Sequence, residues 1–211
     1  MRQNKGQNLK TYDREADKLH QSYNAVTTDE ILPKFTARID ALGDVGGLSA
    51  LDIGCGSGRD ASWLASQGFK VAACDGAQGM IDAARQDNAH AQIDYYVDTA
   101  PDLTQTRQWG QKFDVILMNA FIFHFDYKGK NSPLNQLFTH VVGLGQSGAL
   151  IYTNLRHGPI PEGRVMYDIP PQVIEGLSAK NGLTYEYLGR SADGLGRKDV
   201  TWSDIVLTCP V

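Results

Sequence analysis

Long apolar runs are missing from this chain: no stretch of its 211 residues approaches the roughly 20 consecutive apolar residues needed to cross a bilayer. The opening MRQNKGQNLKTYDREADKLH also lacks the apolar core of a secretory signal. These two lacks lead to the expectation of a cytoplasmic protein with no membrane partner. Cysteine is scarce as well. Cys55, Cys74 and Cys209 are an odd number without paired metal-ligand spacing, which argues against a disulfide framework and a metal site and fits a reducing compartment. Each reads as a small buried residue. An excess of positive charge is absent too. Lys plus Arg number 20 against 24 Asp plus Glu, and the formal charge of -4 exerts no general pull toward nucleic acid, although a local basic patch is compatible with it.

Internal repeats, low-complexity tracts and linkers are likewise missing, and at this length a single unit buries a substantial core. The expected organisation is an N-terminal helical segment, 1–42, packed on one globular unit, 43–211. Little in the polar start through about Asn8 anchors to a core, so disorder is expected there. Oligomeric state is not legible.

Apolar residues are present in telling periods. From Tyr12 to Leu42 the positions Leu19, Tyr23, Val26, Ile31, Leu32, Phe35, Ile39 and Leu42 predict two amphipathic helices around a break at 27–29, with Thr28 or Asp29 capping the second. LSALDI, bounded by glycine on both sides, predicts a buried strand. A helix over 59–67 with Trp63 and Leu64 inward, a strand over 69–74, a helix over 80–86 and a strand over 93–97 follow. The run 113–118 is almost continuously apolar, as a parallel strand covered on both faces should be. A helix over 135–144, a strand over 148–153, a helix over 172–180 opened by Pro170-Pro171, and two strands, 184–188 and 202–209, complete the chain. This alternation predicts a doubly wound α/β fold with a mostly parallel sheet. The terminal pair changes the rhythm, and insertion of the last strand antiparallel beside the fifth would give seven strands.

The chemistry concentrates in LDIGCGSGRDASWLASQGFKVAACD. Gly54, Gly56 and Gly58 form G-x-G-x-G between a strand and a helix, where missing side chains let a ligand approach turning backbone. Arg59 occupies the place of the third glycine in a dinucleotide fingerprint, and the Gly-Lys-Ser/Thr ending of a P-loop is missing. Asp75, at the end of the second strand, is placed to accept both hydroxyl hydrogens of a ribose, unless it is merely a turn acid.

Together these residues resemble motif I and its continuation in the class I S-adenosylmethionine-dependent methyltransferase family. The likeness covers about 48–155. It implies a seven-stranded, mostly parallel sheet with a terminal antiparallel strand, S-adenosylmethionine as cofactor, S-adenosylhomocysteine as product, and methyl transfer to a nucleophile. Asp52, Gly54, Gly56 and Gly58 match the first motif and Asp75 the ribose-contacting acid; Cys55, Gly76 and Thr99 flank these positions and join the candidate cofactor set. FDVILMNAFIFHF matches the fourth-strand region, with Asn119 near the methionyl part or in a strand-end hydrogen bond. Asp98 falls where the resemblance implies an acid near the adenine amino group, with Asp102 close enough to compete. Met80 borders the adenosine pocket or fills core. A looser likeness is to small bacterial tellurite-resistance-type methyltransferases, although no feature identifies tellurite as the acceptor.

A sulfonium activates its own methyl group, so no covalent nucleophile of the protein is required. His124, just past the fourth strand, is the candidate base for an alcohol or protonated amine, or else a packing residue; a deprotonated acceptor needs no base. Asp126 and Tyr127 are candidate substrate contacts. Arg156 and His157, read as immediately following the fifth strand, and Arg164 beyond a Pro/Gly loop, are candidates for holding an anionic group, or form a salt-bridged loop neutralised by Glu162. A small-molecule acceptor is the leading expectation. RNA or protein methylation and a non-catalytic regulatory role are the alternatives, while Asn119-Ala120-Phe121-Ile122 lacks the Asn-Pro-Pro-Tyr pattern of DNA-adenine methylation.

Overall fold

The computed structural model describes residues 2–211, with side chains from Gly6 onward. Five strands, β1 (Ser49–Ile53), β2 (Lys70–Asp75), β3 (Ile93–Val97), β4 (Phe113–Met118) and β5 (Gly145–His157), are parallel. The hairpin of β6 (Thr184–Ala192) and β7 (Thr201–Thr208) completes a seven-stranded sheet in the order β3-β2-β1-β4-β5-β7-β6, with β7 antiparallel between β5 and β6. The insertion left open by the strand pattern is therefore the one observed.

Period-two alternation sorts the strand residues to two faces. Leu51, Ile53, Ile116 and Met118 face a cluster with Leu134, Leu137 and Phe138 of helix α8 (Pro133–Val142) and Ile174 of α9 (Pro171–Lys180). Ala50, Val71, Val115 and Leu117 face Phe35 and Ile39 of α4 (Pro33–Asp40), Leu64 of α5 (Arg59–Ser66) and Ile81 of α6 (Gln78–Asp87). Helices on both faces are what right-handed crossovers between parallel strands require. Thr104–Gln108 forms a short helix, α7, and Ile122–His124 a 3-10 turn, both too brief to leave a periodic signal.

The N-terminal region departs most from expectation. Instead of two helices there are α1 (Arg2–Arg14), α2 (Ala16–Asn24), α3 (Thr28–Ile31) and α4, because Pro33 ends one helical run and opens the next. The cap is Thr27, not Thr28 or Asp29: its hydroxyl accepts from Glu30 N while the Glu30 carboxylate accepts from Thr27 N, a reciprocal capping box. Thr28 is instead buried, donating to Asp60 Oδ1 at 2.8 Å. The disorder expected through about Asn8 does not extend to 6–8, which continue α1; Met1 lies outside the described residues. Asn8 supplies the missing anchor, exchanging two 2.8 Å hydrogen bonds with Val165, one to its carbonyl and one from its N–H. β5 also outruns its expected end, since β7 pairs with it as far as His157 opposite Thr201. Arg156 and His157 are thus strand residues. Among the described residues no helix is long and apolar enough to cross a membrane.

Candidate functional site

The carboxyl ends of β1 to β5, the edge where doubly wound sheets bind ligands, open into one continuous cavity of about 800 Å³. It reaches from Asp98 and Thr99 beyond β3, past Asp75 and Gly76 at the end of β2 and the turn Gly54-Cys55-Gly56, to Asn154 and Arg156 on β5 and Trp202 on β7.

The turn after β1 explains its glycines one by one. All three have positive φ, at +77, +52 and +79°. A Cβ on Gly54 would fall 2.2 Å from the Phe121 ring, whereas one on Gly56 would enter the cavity with Met80 Cε at 3.5 Å as its nearest neighbour. Gly58 does not line the cavity; a Cβ there would lie 2.5 Å from Tyr95 Oη, so its absence serves packing. Asp52 is buried beneath the turn and does not line the cavity either. Among the described residues its Oδ2 has no hydrogen-bond partner, and burial, reinforced by the Asp60 charge, raises its pKa well above the ordinary carboxylate value.

Asp75 ties the turn together. Its Oδ2 accepts from Gly56 N at 3.1 Å and its Oδ1 from Ala77 N at 2.8 Å, while burial raises its pKa despite those bonds. Asp98 is more heavily committed: Oδ1 accepts from Thr99 N, and Oδ2 from the N–H and hydroxyl of Thr106. It lines the cavity, as do Asp102 and Met80, the latter on α6 and packed against Ala16, Leu19 and Tyr23 of α2. Cys55 lines it with a thiol whose pKa burial pushes up. Asn119 stands at the cavity wall in a polar chain, its Nδ2 donating to Asp60 and its Oδ1 accepting from Asn154, whose own Oδ1 accepts from Ala120 N. Arg59, the residue that breaks the dinucleotide pattern, forms a two-pronged pair with Asp60 and donates to Tyr23 O.

His124 lies where α1 crosses the cavity. Its Nδ1 is 3.3 Å from Val165 O and 3.2 Å from Asn8 Nδ2, and its Nε2 is 3.2 Å from Tyr12 Oη. In one neutral tautomer Nδ1–H donates to the carbonyl and Nε2 accepts from the phenol; in the other Nδ1 accepts from Asn8 Nδ2 and Nε2–H donates to Tyr12 Oη. Burial lowers its pKa to about 4, leaving it neutral near pH 7. Arg164 stacks on Tyr12, 4.7 Å from the ring centroid, and pairs with Glu15 at 3.4 Å. The partner is therefore Glu15 on the N-terminal segment and not the expected Glu162. Asp126 lines the cavity. Tyr127 packs instead against the core, and His157 turns away to Asp168 and Ser203.

Asn8, Tyr12, Tyr23, Phe121, Asn154, Arg197 and Trp202 line the cavity without having been singled out from sequence. Tyr12 and Tyr23 were visible only as members of an amphipathic helix pattern. The rest come together through tertiary contacts with no local signal.

Residues 50–145 match the family model described as a methyltransferase domain. A ubiquinone biosynthesis O-methyltransferase of Bradyrhizobium diazoefficiens is 33% identical over 98 residues, 46% of this chain and 37% of that protein, so the chain spans well under two thirds of this relative's length. Among solved structures, the magnesium protoporphyrin IX methyltransferase of Synechocystis with bound S-adenosylmethionine superposes with a TM-score of 0.65 at 16% identity, covering 94% of this chain and 84% of that one. The cyclase SpnF superposes with a TM-score of 0.68 at 14% identity over 96% and 95% of the two chains. The fold is the Rossmann-like one of class I methyltransferases, and the matched segment, under half of the chain, is similar to a methyltransferase domain. Nothing in these matches specifically supports the looser tellurite-resistance likeness.

Proposed function

We propose that the chain is an S-adenosylmethionine-dependent methyltransferase acting on a small molecule, with 43–211 as the catalytic unit and 1–42 as its cover. The observation that carries this reading is the continuous cavity along the carboxyl edge. Its β3-β2-β1 half offers an acid at the end of β2, another just past β3, and a glycine whose missing Cβ opens the space, while its β4-β5-β7 half is left for a second molecule.

The donor set fits the cofactor. Asp75, oriented by two backbone N–H groups, keeps lone pairs for ribose hydroxyls. Gly56 and Gly76 allow close backbone approach beside Cys55 and Thr99, Met80 supplies apolar wall, and Asp98, although committed to Thr106, faces the adenine end. S-Adenosylmethionine, when bound, would supply a sulfonium-activated methyl group for an acceptor lone pair, with S-adenosylhomocysteine as the leaving product. The chain's contribution is alignment and exclusion of water. Asn119, fixed on both sides by Asp60 and Asn154, keeps the wall at the β4 end rigid. The weakly basic His124 favours an acceptor that arrives deprotonated or with a free lone pair, and its imidazole then serves to fix Tyr12 over the site.

Calorimetric titration tests this. Tight binding of S-adenosylmethionine and S-adenosylhomocysteine, with none of NAD, is expected; preference for the dinucleotide would overturn the reading. Binding without turnover across metabolite and macromolecule acceptors would favour a regulatory role.

A further inference from the structure

The half of the cavity over β4, β5 and β7 contains one cation in an unusual state. Most charged groups there have charged or multiple partners. Asp204 accepts from Tyr152, Lys34 and Ser191. Asp193 accepts from Arg197 through both oxygens and from Trp202 Nε1, and although burial works against it, these bonds hold it down at about 2. Arg164 is held by Tyr12 and Glu15.

Arg156 differs. It is 7% exposed, and among the described residues its terminal nitrogens donate only to the neutral carbonyls of Gly158 at 3.3 Å and Pro159 at 2.7 Å and its buried Nε has no partner. Burial, followed by the Arg197 charge, lowers its pKa from the ordinary arginine value. A buried cation is tolerated when an anion or strong hydrogen bonds compensate it, and a guanidinium edge with a spare N–H is shaped for a carboxylate.

The surroundings define what carries that anion. Phe121 and Phe125 pair at 5.2 Å and Phe123 and Trp202 at 5.8 Å, and all four rings line the cavity. Asp193 and Asp204 line it too, adding negative charge that a monoanion tolerates better than a phosphate dianion. Thr153, three residues before Arg156, pairs with Met118 at the end of β4, and β4 lies between β1 and β5. At strand spacings of about 4.8 Å and a rise of about 3.3 Å per residue, the Arg156 Cα stands roughly 10 Å across and roughly 10 Å along from the end of β1. Its guanidinium donates to the carbonyls of Gly158 and Pro159, just past the end of β5.

Resting on the methyl-transfer reading, we propose that this half binds a ring-bearing carboxylic acid, its carboxylate at the Arg156 guanidinium and its ring among Phe121, Phe123 and Trp202. The atom that receives the methyl group then lies at the far end of the ring, toward Gly54, and is not the carboxylate itself.

The test is calorimetric titration of the protein saturated with S-adenosylhomocysteine, and of the bare protein, using benzoate, cinnamate, benzamide and phenyl phosphate as probes. At least one carboxylate should bind ten-fold or more tighter than benzamide and phenyl phosphate. Arg156→Met should lose at least ten-fold of that affinity while binding S-adenosylhomocysteine as before, and Arg156→Lys should retain part of it. Equal affinity for benzoate and benzamide, preference for phenyl phosphate, failure to bind either carboxylate, or an unaltered Arg156→Met would each overturn the proposal. If Arg156→Met does not fold, its lost S-adenosylhomocysteine binding reveals this, and the wild-type carboxylate-to-amide ratio still decides. Failure of the wild type to bind S-adenosylhomocysteine would instead sink the methyl-transfer reading, and carboxylate binding by the bare protein remains a separate result.

Discussion

Two glycines of one motif separate into two jobs at the scale of single residues. Gly56 borders the cavity and Gly58 packs on Tyr95 and Ala84, so the same substitution should act differently at each. Gly56→Val is expected to weaken S-adenosylmethionine binding by at least ten-fold, while the fold survives a strain of about 1–2 kcal/mol at φ +52°. Gly58→Val should lower the melting temperature more than it alters the affinity of whatever protein remains folded. Calorimetry paired with thermal melts on both variants checks the contrast, and equal affinity losses at equal stability would contradict it. Asp75→Ala should cost about 1–3 kcal/mol of cofactor binding, because a charged acceptor is lost and the Gly56 N–H is released. Asp75→Asn should cost less, retaining one acceptor. Cofactor affinity unchanged in Asp75→Ala would remove the ribose assignment. The position of the motif glycines in a turn after β1 and of Asp75 at the end of β2 was legible in sequence because a turn after a strand leaves a local pattern; that Gly58 packs instead of lining the cavity was not. The commitments of Asp98 to Thr106 and of Asn119 to Asp60 and Asn154 were not, since each depends on a partner brought in by folding.

The first helix decides the next scale. α1 crosses from the loop at Val165 to α6, where Asp13 accepts from Gly79 N at 2.9 Å, and through Tyr12 it rests on His124. Asn8→Ala removes two buried hydrogen bonds to backbone and should speed hydrogen exchange across α1 and the dissociation of cofactor, with little change at β1 or β4. Exchange mass spectrometry reads this, and uniform exchange changes across the sheet would argue against a separable cover. His124 gives the same contact a pH dependence. Its pKa falls from an ordinary value near 6.5 to about 4 on folding, so the unfolded chain takes up the proton first. The stability tied to the neutral ring is full above about pH 6.5 and declines by about 1–3 kcal/mol as pH falls toward 4. Denaturant titrations of wild type and His124→Gln should therefore converge in stability as the pH is lowered through that window; parallel curves would contradict the assignment. The strands and most helices were readable from periods of two and of three to four. The N-terminal anchor was not, because Asn8 is a lone polar residue whose partner lies 157 positions away. The true length of β5 was hidden for the same reason: its last residues are strand only because β7 pairs with them.

Over the whole molecule, strand order turns a set of short local signals into a working edge. Placing β1 between β2 and β4 brings Asp75, the glycine turn and Asn119 to one cavity, and inserting β7 beside β5 adds Arg156 and Trp202 to its other half. That division into a cofactor half and an acceptor half is the central claim. It is tested most directly by incubating the protein with cell extract and S-adenosylmethionine carrying an isotopically labelled methyl group, then searching the small molecules by mass spectrometry. The account predicts a labelled small-molecule product formed with stoichiometric S-adenosylhomocysteine, and its near-disappearance with Asp75→Ala at limiting cofactor. Label found only in RNA or protein, or no label transferred by a protein that binds S-adenosylmethionine, would contradict it.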